Sequence, residues 1–332
     1  MRAILKALAI LGVIGAGTAA ATAESAEFKP AVIFDMGGKF DKSFNEAAYR
    51  GAEKFKAETG IPYAEFEVTN EGQRDQALRR MAQRSDIVVA VGFAFATPLE
   101  KVAAEFPDKK FVIIDYTMEN KPNIQSVVFK EHEGSFLVGM AAALKSRTGK
   151  VGFVGGMDIP LIRNFAFGYE QGVKHVNPNG QVIQNYTGTT PAAWTDVSRA
   201  KELAISQIDQ GADVIYAAAG QAGLGALEAA ADKKKYSIGV DSNQNYLHPG
   251  SVLTSMVKRV DVAVYNAFKD AKEGTWKPGA LSLGLKEEGV GYAVDEYNRD
   301  ILTPDIQAKL EEARQAIIEG RLQVKDYQST QQ

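Results

Sequence analysis

Three acids follow short apolar stretches, at positions where carboxylates commonly meet a ligand. They are Asp35 after residues 31–34, Asp115 after 111–114, and Asp241 after 236–240. If these stretches are parallel strands, the acids lie at the strands' carboxyl ends, where open α/β sheets bind ligands. Ionised carboxylates accept hydrogen bonds from hydroxyl and ring N–H groups. One such acid could equally cap a helix or pair with a structural cation, but three together predict a polar binding site.

Aromatic and amide side chains accompany these acids. Phe44 and Asn45 follow the first acid, and further rings stand at Phe93, Phe95 and Trp194. Aromatic faces stack on flat rings. Carboxylate acceptors and stacking surfaces, without a paired acid and base, indicate the binding of a small molecule and not its conversion.

The sequence lacks the patterns of common catalytic and metal sites. It has no cysteine, which excludes disulfides, thiol catalysis and thiolate metal sites. His132, His175 and His248 do not have metal-ligand spacing, and neither G-x-S-x-G nor H-E-x-x-H occurs. The glycines within residues 220–225 could cradle a phosphate or let the backbone approach an uncharged ligand. We therefore expect no metal, no cofactor and no enzymatic activity.

Strands and helices alternate along the chain, which is typical of parallel sheets built from βαβ units. One helix is predicted to begin with Ser43 as N-cap and Glu46 completing a capping box, and Thr97 with Glu100 forms a second such pair. Further strands are expected at 61–68, 86–91, 125–129, 150–155, 182–186, 213–217, 253–256, 281–285 and 290–294. The pattern starts again after the fifth strand, so we predict two Rossmann-like lobes.

Residues 1–23 have the features of a secretory signal peptide. Positive charges at Arg2 and Lys6 precede an apolar run at 7–15, and small residues lead to a cleavage site after Ala23. The run is too short to span a membrane. Because the chain has no cysteine for lipid attachment, a soluble periplasmic product is expected. Its 332 residues suffice for two domains, and the net charge of −3 gives no reason to expect a nucleic-acid partner.

The stretch from Asp35 to Asn45, with Gly51 downstream, resembles the opening signature of the basic membrane protein family. These are substrate-binding proteins of ABC importers, and their best-understood branch binds purine nucleosides. The similarity covers nearly the whole mature chain, through residues 91–95, 111–115, 150–156, 211–215, 218–220, 239–241 and 253–258.

The resemblance implies the fold of type I periplasmic binding proteins, in which two α/β lobes are joined by three crossovers and the ligand lies between them. Lobe one would comprise residues 28–129 plus 256–284. Lobe two would comprise residues 130–255 plus 285–332.

Eight residues acquire roles from this resemblance. Phe44 would stack on one face of a purine, and Asn45 and Asp115 would read the edge of the base. Trp194 would close the other face, where the family more often has phenylalanine. The ribose and nearby polar atoms would be held by Asp35, Gly220, Asp241 and Lys258, and the lysine would also be the cationic partner of buried carboxylates.

The implied function is capture of a purine nucleoside by hinge closure, followed by docking of the monomeric receptor on an ABC permease in the inner membrane. Three alternatives stay open at this point. The ligand could be a free nucleobase, a sugar or another small metabolite. The chain could be a sensory module that presents its liganded state to a receptor, or an enzyme such as a nucleoside hydrolase.

Overall fold

The computed structural model describes residues 27–330, so the predicted signal peptide, residues 1–23, lies outside the described residues. The strands are β1 (Pro30–Phe34), β2 (Ala64–Glu67), β3 (Ile87–Val91), β4 (Lys110–Ile114), β5 (Ile124–Phe129), β6 (Lys150–Met157), β7 (Gln181–Gly188), β8 (Val214–Ala218), β9 (Tyr236–Asp241), β10 (Val252–Lys258), β11 (Gly279–Leu283) and β12 (Val290–Tyr292). The helices are α1 (Phe44–Thr59), α2 (Gln73–Arg84), α3 (Ala96–Glu105), α4 (Glu131–Lys145), α5 (Pro160–Val176), α6 (Val197–Asp209), α7 (Gly223–Asp232), α8 (Val260–Glu273) and α9 (Pro304–Ile318).

These strands form two separate six-stranded sheets, one in each lobe. The first has the order β11-β5-β4-β3-β1-β2, and its neighbouring strands are all parallel. The second has the order β12-β10-β9-β8-β6-β7, with β12 antiparallel to β10. Strands β1 and β3 are buried along their whole length, as expected for apolar strands covered by helices on both faces. The predicted two-lobed α/β architecture is therefore confirmed.

Three crossings connect the two sheets. They run from β5 to α4 (129–131), from β10 to α8 (258–260) and from β11 to β12 (283–290). Helix α8 packs on α1 of the first lobe, whereas α4 packs on α5 and β10 of the second. Strand β10 stays in the second sheet through Lys258. Residues 256–258 were predicted to belong to lobe one, but they are part of the second sheet.

The start of α1 differs from the predicted capping box. The Asp41 carboxylate accepts hydrogen bonds from the backbone amides of Ser43 (2.8 Å), Asn45 (3.0 Å) and Glu46 (3.0 Å). The Ser43 hydroxyl instead donates to Asp241 of the other lobe, at 2.6 Å. A carboxylate can accept several N–H groups at once. Asp41 therefore caps the helix and leaves the serine available for an interlobe contact.

Helix α3 also begins earlier than its predicted capping box. A 3-10 turn at Phe93–Phe95 leads directly into the helix, so Thr97 lies inside the first turn and is not the N-cap. Pro98 follows there, where its missing N–H costs no hydrogen bond. The ring of Phe95 is fully buried among apolar side chains of the first lobe, so it is a core residue. Among residues 27–330, no helix is long and apolar enough to cross a membrane.

Candidate ligand-binding cleft

The carboxyl ends of the two sheets face each other across a cleft. Clefts between lobes are common sites for small-molecule ligands. The structure places all eight residues predicted from the sequence on the walls of this cleft. They are Asp35, Phe44, Asn45, Asp115, Trp194, Gly220, Asp241 and Lys258.

The first wall is organised around Asp35, at the end of β1. Its Oδ1 accepts a hydrogen bond from Arg74 Nε at 2.9 Å, and Arg74 Nη2 lies 2.8 Å from the same oxygen in an ion pair. Burial raises the pKa of Asp35, and Arg74 acts in the opposite direction. The Asn45 amide bonds to the backbone N–H and carbonyl of Asp35, at 3.2 and 3.3 Å. One function of Asn45 is therefore to fix the backbone of this strand end.

A buried ion-pair cluster lies deeper, between the lobes. The Lys258 ammonium is 2.6 Å from Asp115 Oδ2 and 3.3 Å from Glu131 Oε1, and the lysine side chain is only 2% exposed. Its Nζ also lies 5.1 Å from the centre of the Phe44 ring, a cation–π distance. Asp115 Oδ1 is buried and has no hydrogen-bond partner among the described residues. That oxygen is an acceptor that a ligand donor can satisfy.

The charged groups of this cluster shift one another's pKa values. Burial opposes the positive charge of Lys258, but Asp115, Glu131 and Asp241 together raise its pKa above the usual value. Burial raises the pKa of Glu131 to about 7 although Lys258 acts in the opposite direction. The pKa of Asp115 is likewise raised by burial and lowered by Lys258. Lys258 therefore stays protonated, and the carboxylates take up protons more readily than exposed ones do.

Asp241 is the last residue of β9, so it occupies a strand end in the second lobe as Asp35 and Asp115 do in the first. It accepts the interlobe hydrogen bond from Ser43, and burial raises its pKa to about 6, against Lys258 and the Ser43 hydroxyl, which lower it. Asp115 and Asp241 both have left-handed backbones, with φ of +67° and +63°. Non-glycine residues seldom adopt this conformation, and such strain is concentrated at functional sites.

Trp194 forms the aromatic part of the second wall. Its ring packs so closely over Gly156 that a Cβ there would lie 2.2 Å from a ring carbon. Gly220, with φ of +59°, passes beside the same ring. Phe93 of the first lobe lies 6.5 Å from the Trp194 ring, centre to centre, at an interplanar angle of 63°. The two lobes therefore bring aromatic rings together at the cleft.

Several residues that shape this site were not predicted from the sequence. Leu161, Ile162 and Phe165 line the cleft from the first turns of α5. Their spacing on one helical face, just after a strand, is the signal that could have found them. Arg74 and Glu131 are ion-pair partners whose neighbours in the sequence give no hint of their role. Among residues 27–330, no cluster of three or more histidine or acidic side chains is arranged to hold a metal ion.

Comparison with known proteins identifies relatives along most of the chain. Residues 28–328 match the family described as ABC transporter substrate-binding protein PnrA-like. An uncharacterized lipoprotein of Pyrococcus abyssi is 37% identical, covering 85% of this chain and 73% of the relative. Basic membrane protein A of Borreliella burgdorferi is 35% identical, covering 79% of each.

Solved structures agree in fold. An ABC transporter solute-binding protein from Aeropyrum pernix superimposes with a TM-score of 0.82 at 31% identity, over 91% of this chain and 96% of that one. An arabinose-binding protein from Geobacillus stearothermophilus, at 14% identity and a TM-score of 0.61, shares the fold alone.

Proposed function

The chain belongs to the family of PnrA-like ABC transporter substrate-binding proteins, and we propose that it binds a purine nucleoside in the cleft between its lobes. The observation that carries this proposal is the meeting of buried carboxylates and aromatic rings from both lobes in one cavity. Phe44 and Trp194 supply faces for a planar base, and Asp115 and Asp241 supply acceptors for N–H and hydroxyl donors.

For the eight residues we propose the roles that the family resemblance implies, and their position on the walls of one cleft supports them. Phe44 and Trp194 stack on the purine, while Asn45 and Asp115 read its edge. The ribose is held by Asp35, Gly220, Asp241 and Lys258. A ligand that lacks one of these donors leaves a buried carboxylate without a partner, which makes discrimination sharp.

The proposed mechanism is hinge closure at the three crossings. The ligand bridges the lobes and binds the closed state better than the open one, so it shifts the equilibrium toward closure. Ser43 and Asp241 already meet across the lobes, and the Ser242 hydroxyl donates to the Ser43 carbonyl at 2.7 Å. We propose that the closed, monomeric receptor is periplasmic and delivers its ligand to an ABC permease, with no cofactor and no chemical turnover.

A thermal-shift screen of purine nucleosides, nucleobases, pyrimidine nucleosides and sugars tests this proposal. A ligand at 100 times its Kd stabilises the native state by about 2.7 kcal/mol, which is easily measured. We expect the largest shifts from purine nucleosides, confirmed by calorimetry. If a sugar or a free base stabilises the protein and no nucleoside does, the proposed ligand is wrong. If the purified protein consumes a nucleoside, the chain is an enzyme and the proposal of binding without turnover is wrong.

A further inference from the structure

Glu131 lies behind the cleft and not on its wall. It is the first residue of α4, its side chain is 3% exposed, and it stands outside the set of described residues that line the cleft. A buried carboxylate is costly unless it is paired. Its contacts therefore indicate what it does.

One oxygen of Glu131 contacts Lys258 of the buried ion-pair cluster. Oε1 is 3.3 Å from Lys258 Nζ, and Asp115 Oδ2 is 2.6 Å from the same nitrogen. The ammonium is therefore held between two carboxylates, of which only Asp115 faces the cleft. This arrangement fixes the position of Lys258 and, through the ion pair, the orientation of Asp115.

The other oxygen of Glu131 contacts helix α5 of the second lobe. Oε2 accepts a hydrogen bond from Asn164 Nδ2 at 3.2 Å, and Asn164 Oδ1 accepts from the backbone N–H of Tyr327 at 3.1 Å. Asn164 lies on α5, one residue before Phe165, which lines the cleft. The Glu131 carboxylate therefore joins the ion pair to the helix that carries part of the second wall.

The contact between Glu131 and Lys258 also lies where the chain passes between the two sheets. Glu131 stands at the end of the first crossing between the sheets, and Lys258 stands at the start of the second. Hinge closure requires backbone changes in just such connecting residues. A contact between Glu131 and Lys258 therefore links two of the three crossings directly.

We propose that Glu131 is a positioning residue of the cleft, which holds the Lys258 ammonium against Asp115 and couples that ion pair through Asn164 to the wall formed by α5. It acts on the ligand only through these partners. The effect on affinity rests on the proposed nucleoside function, whereas the effect on the position of Lys258 does not.

Removing the charge of Glu131 changes the pH dependence of the site. The titratable groups that interact with Glu131 or with its lysine come from four segments of the chain. They are Asp115 after β4, Tyr216 on β8, Asp241 at the end of β9 and Lys258 at the end of β10. His132, next to Glu131 on α4, contacts Asn164 at 3.2 Å. Burial raises the pKa of Glu131 to about 7 and that of Asp241 to about 6, so Glu131 takes up a proton before Asp241 as the pH falls. Protonation of Glu131 weakens its attraction for the Lys258 ammonium, and Glu131→Gln removes this step from the pH profile.

The test compares Glu131→Gln with Asp213→Asn. Asp213 is a second buried carboxylate of the same lobe, bonded to the Ser146 hydroxyl at 2.6 Å and lying outside the described cleft lining. Affinities for inosine and adenosine are measured by calorimetry from pH 5.5 to 8.5. For Glu131→Gln we expect a loss of about 10- to 100-fold, the range for one hydrogen bond to a charged group. The acidic limb of its affinity profile should also move to lower pH.

The control and the unliganded structure separate the outcomes. An unchanged affinity and pH profile in Glu131→Gln, or an equal loss in Asp213→Asn, would overturn the proposal. If the wild-type protein binds neither nucleoside, the proposed function fails, and crystal structures of unliganded Glu131→Gln and Glu131→Leu then decide. Displacement of the Lys258 ammonium from Asp115 in the leucine variant would support the positioning role, and an unmoved ammonium in both variants would refute it.

Discussion

Replacement of Lys258 with methionine removes the only cation that contacts Asp115 and Glu131 among the described residues. The lysine is 2% exposed, and both carboxylates are almost completely buried. Breaking a buried pair by removing one partner costs about 3–5 kcal/mol, because the remaining charge is uncompensated. We expect a loss of this size in the free energy of unfolding at pH 8.

The loss should be smaller in acid, and its direction follows from the carboxyl groups. Burial holds the pKa of Glu131 at about 7 and that of Asp241 at about 6, both above their usual values, while Lys258 lowers them. Without the lysine these pKa values rise further. A carboxyl group whose pKa is higher in the folded than in the unfolded state lowers the free energy of unfolding as the pH rises above its unfolded-state pKa. At pH 5.5 the variant takes up protons, and the deficit should shrink by about 1–3 kcal/mol.

Urea denaturation of both proteins at pH 5.5 and pH 8 measures this difference. Lys201→Met is the matched control, since Lys201 pairs with Glu228 and Asp232 at the surface, at 2.9 and 3.0 Å. Exposed pairs contribute little, so this variant should follow the wild type at both pH values. An equal deficit of Lys258→Met at the two pH values would refute the reasoning, because the cost would then not come from ionised carboxylates.

Three further predictions concern the cleft. Asp241→Ala should weaken nucleoside binding by about 2–4 kcal/mol, through loss of a buried charged acceptor; unchanged affinity in calorimetry would remove this residue from the site. Trp194→Ala should cost about 1–3 kcal/mol of affinity and Trp194→Phe much less, whereas equal losses would argue against stacking. Ser43→Ala removes the 2.6 Å interlobe bond to Asp241 and should open the unliganded protein, seen as a larger radius of gyration in small-angle scattering. A scattering curve identical to that of the wild type would show that this bond does not hold the lobes together.

The order of strands and helices along the chain could be predicted from the sequence, because each element is specified by residues close to it in the chain. Apolar runs predicted the buried strands, and the acid after each run marked the carboxyl end of a strand. Strands β1, β4 and β9 have Asp35, Asp115 and Asp241 at or directly after their last residues. In a parallel sheet the carboxyl ends of the strands lie at one edge, so the sequence pattern predicted where the binding site would be.

Helix starts were predicted less well, for a physical reason. Ser43 followed by Glu46 satisfies the capping-box pattern, yet Asp41 takes the free amides of α1. A sequence pattern cannot rank two side chains that compete for the same N–H groups, because the winner depends on what else each side chain can bond. Ser43 has an alternative partner in Asp241, which is 198 residues away in the chain.

The sequence by itself determined the two-lobed α/β fold and the strand-end position of Asp35, Asp115 and Asp241, since periodicity and strand ends are set over a few residues. The other predicted residues of the cleft, such as Trp194 and Lys258, came from the family resemblance. Only the tertiary structure decided the partners of those side chains. Lys258 and Asp115 are 143 residues apart, and Glu131 became part of the site only because two crossings of the chain meet there. Coulomb energies and burial depend on distance in space, which sequence spacing does not specify across separate lobes.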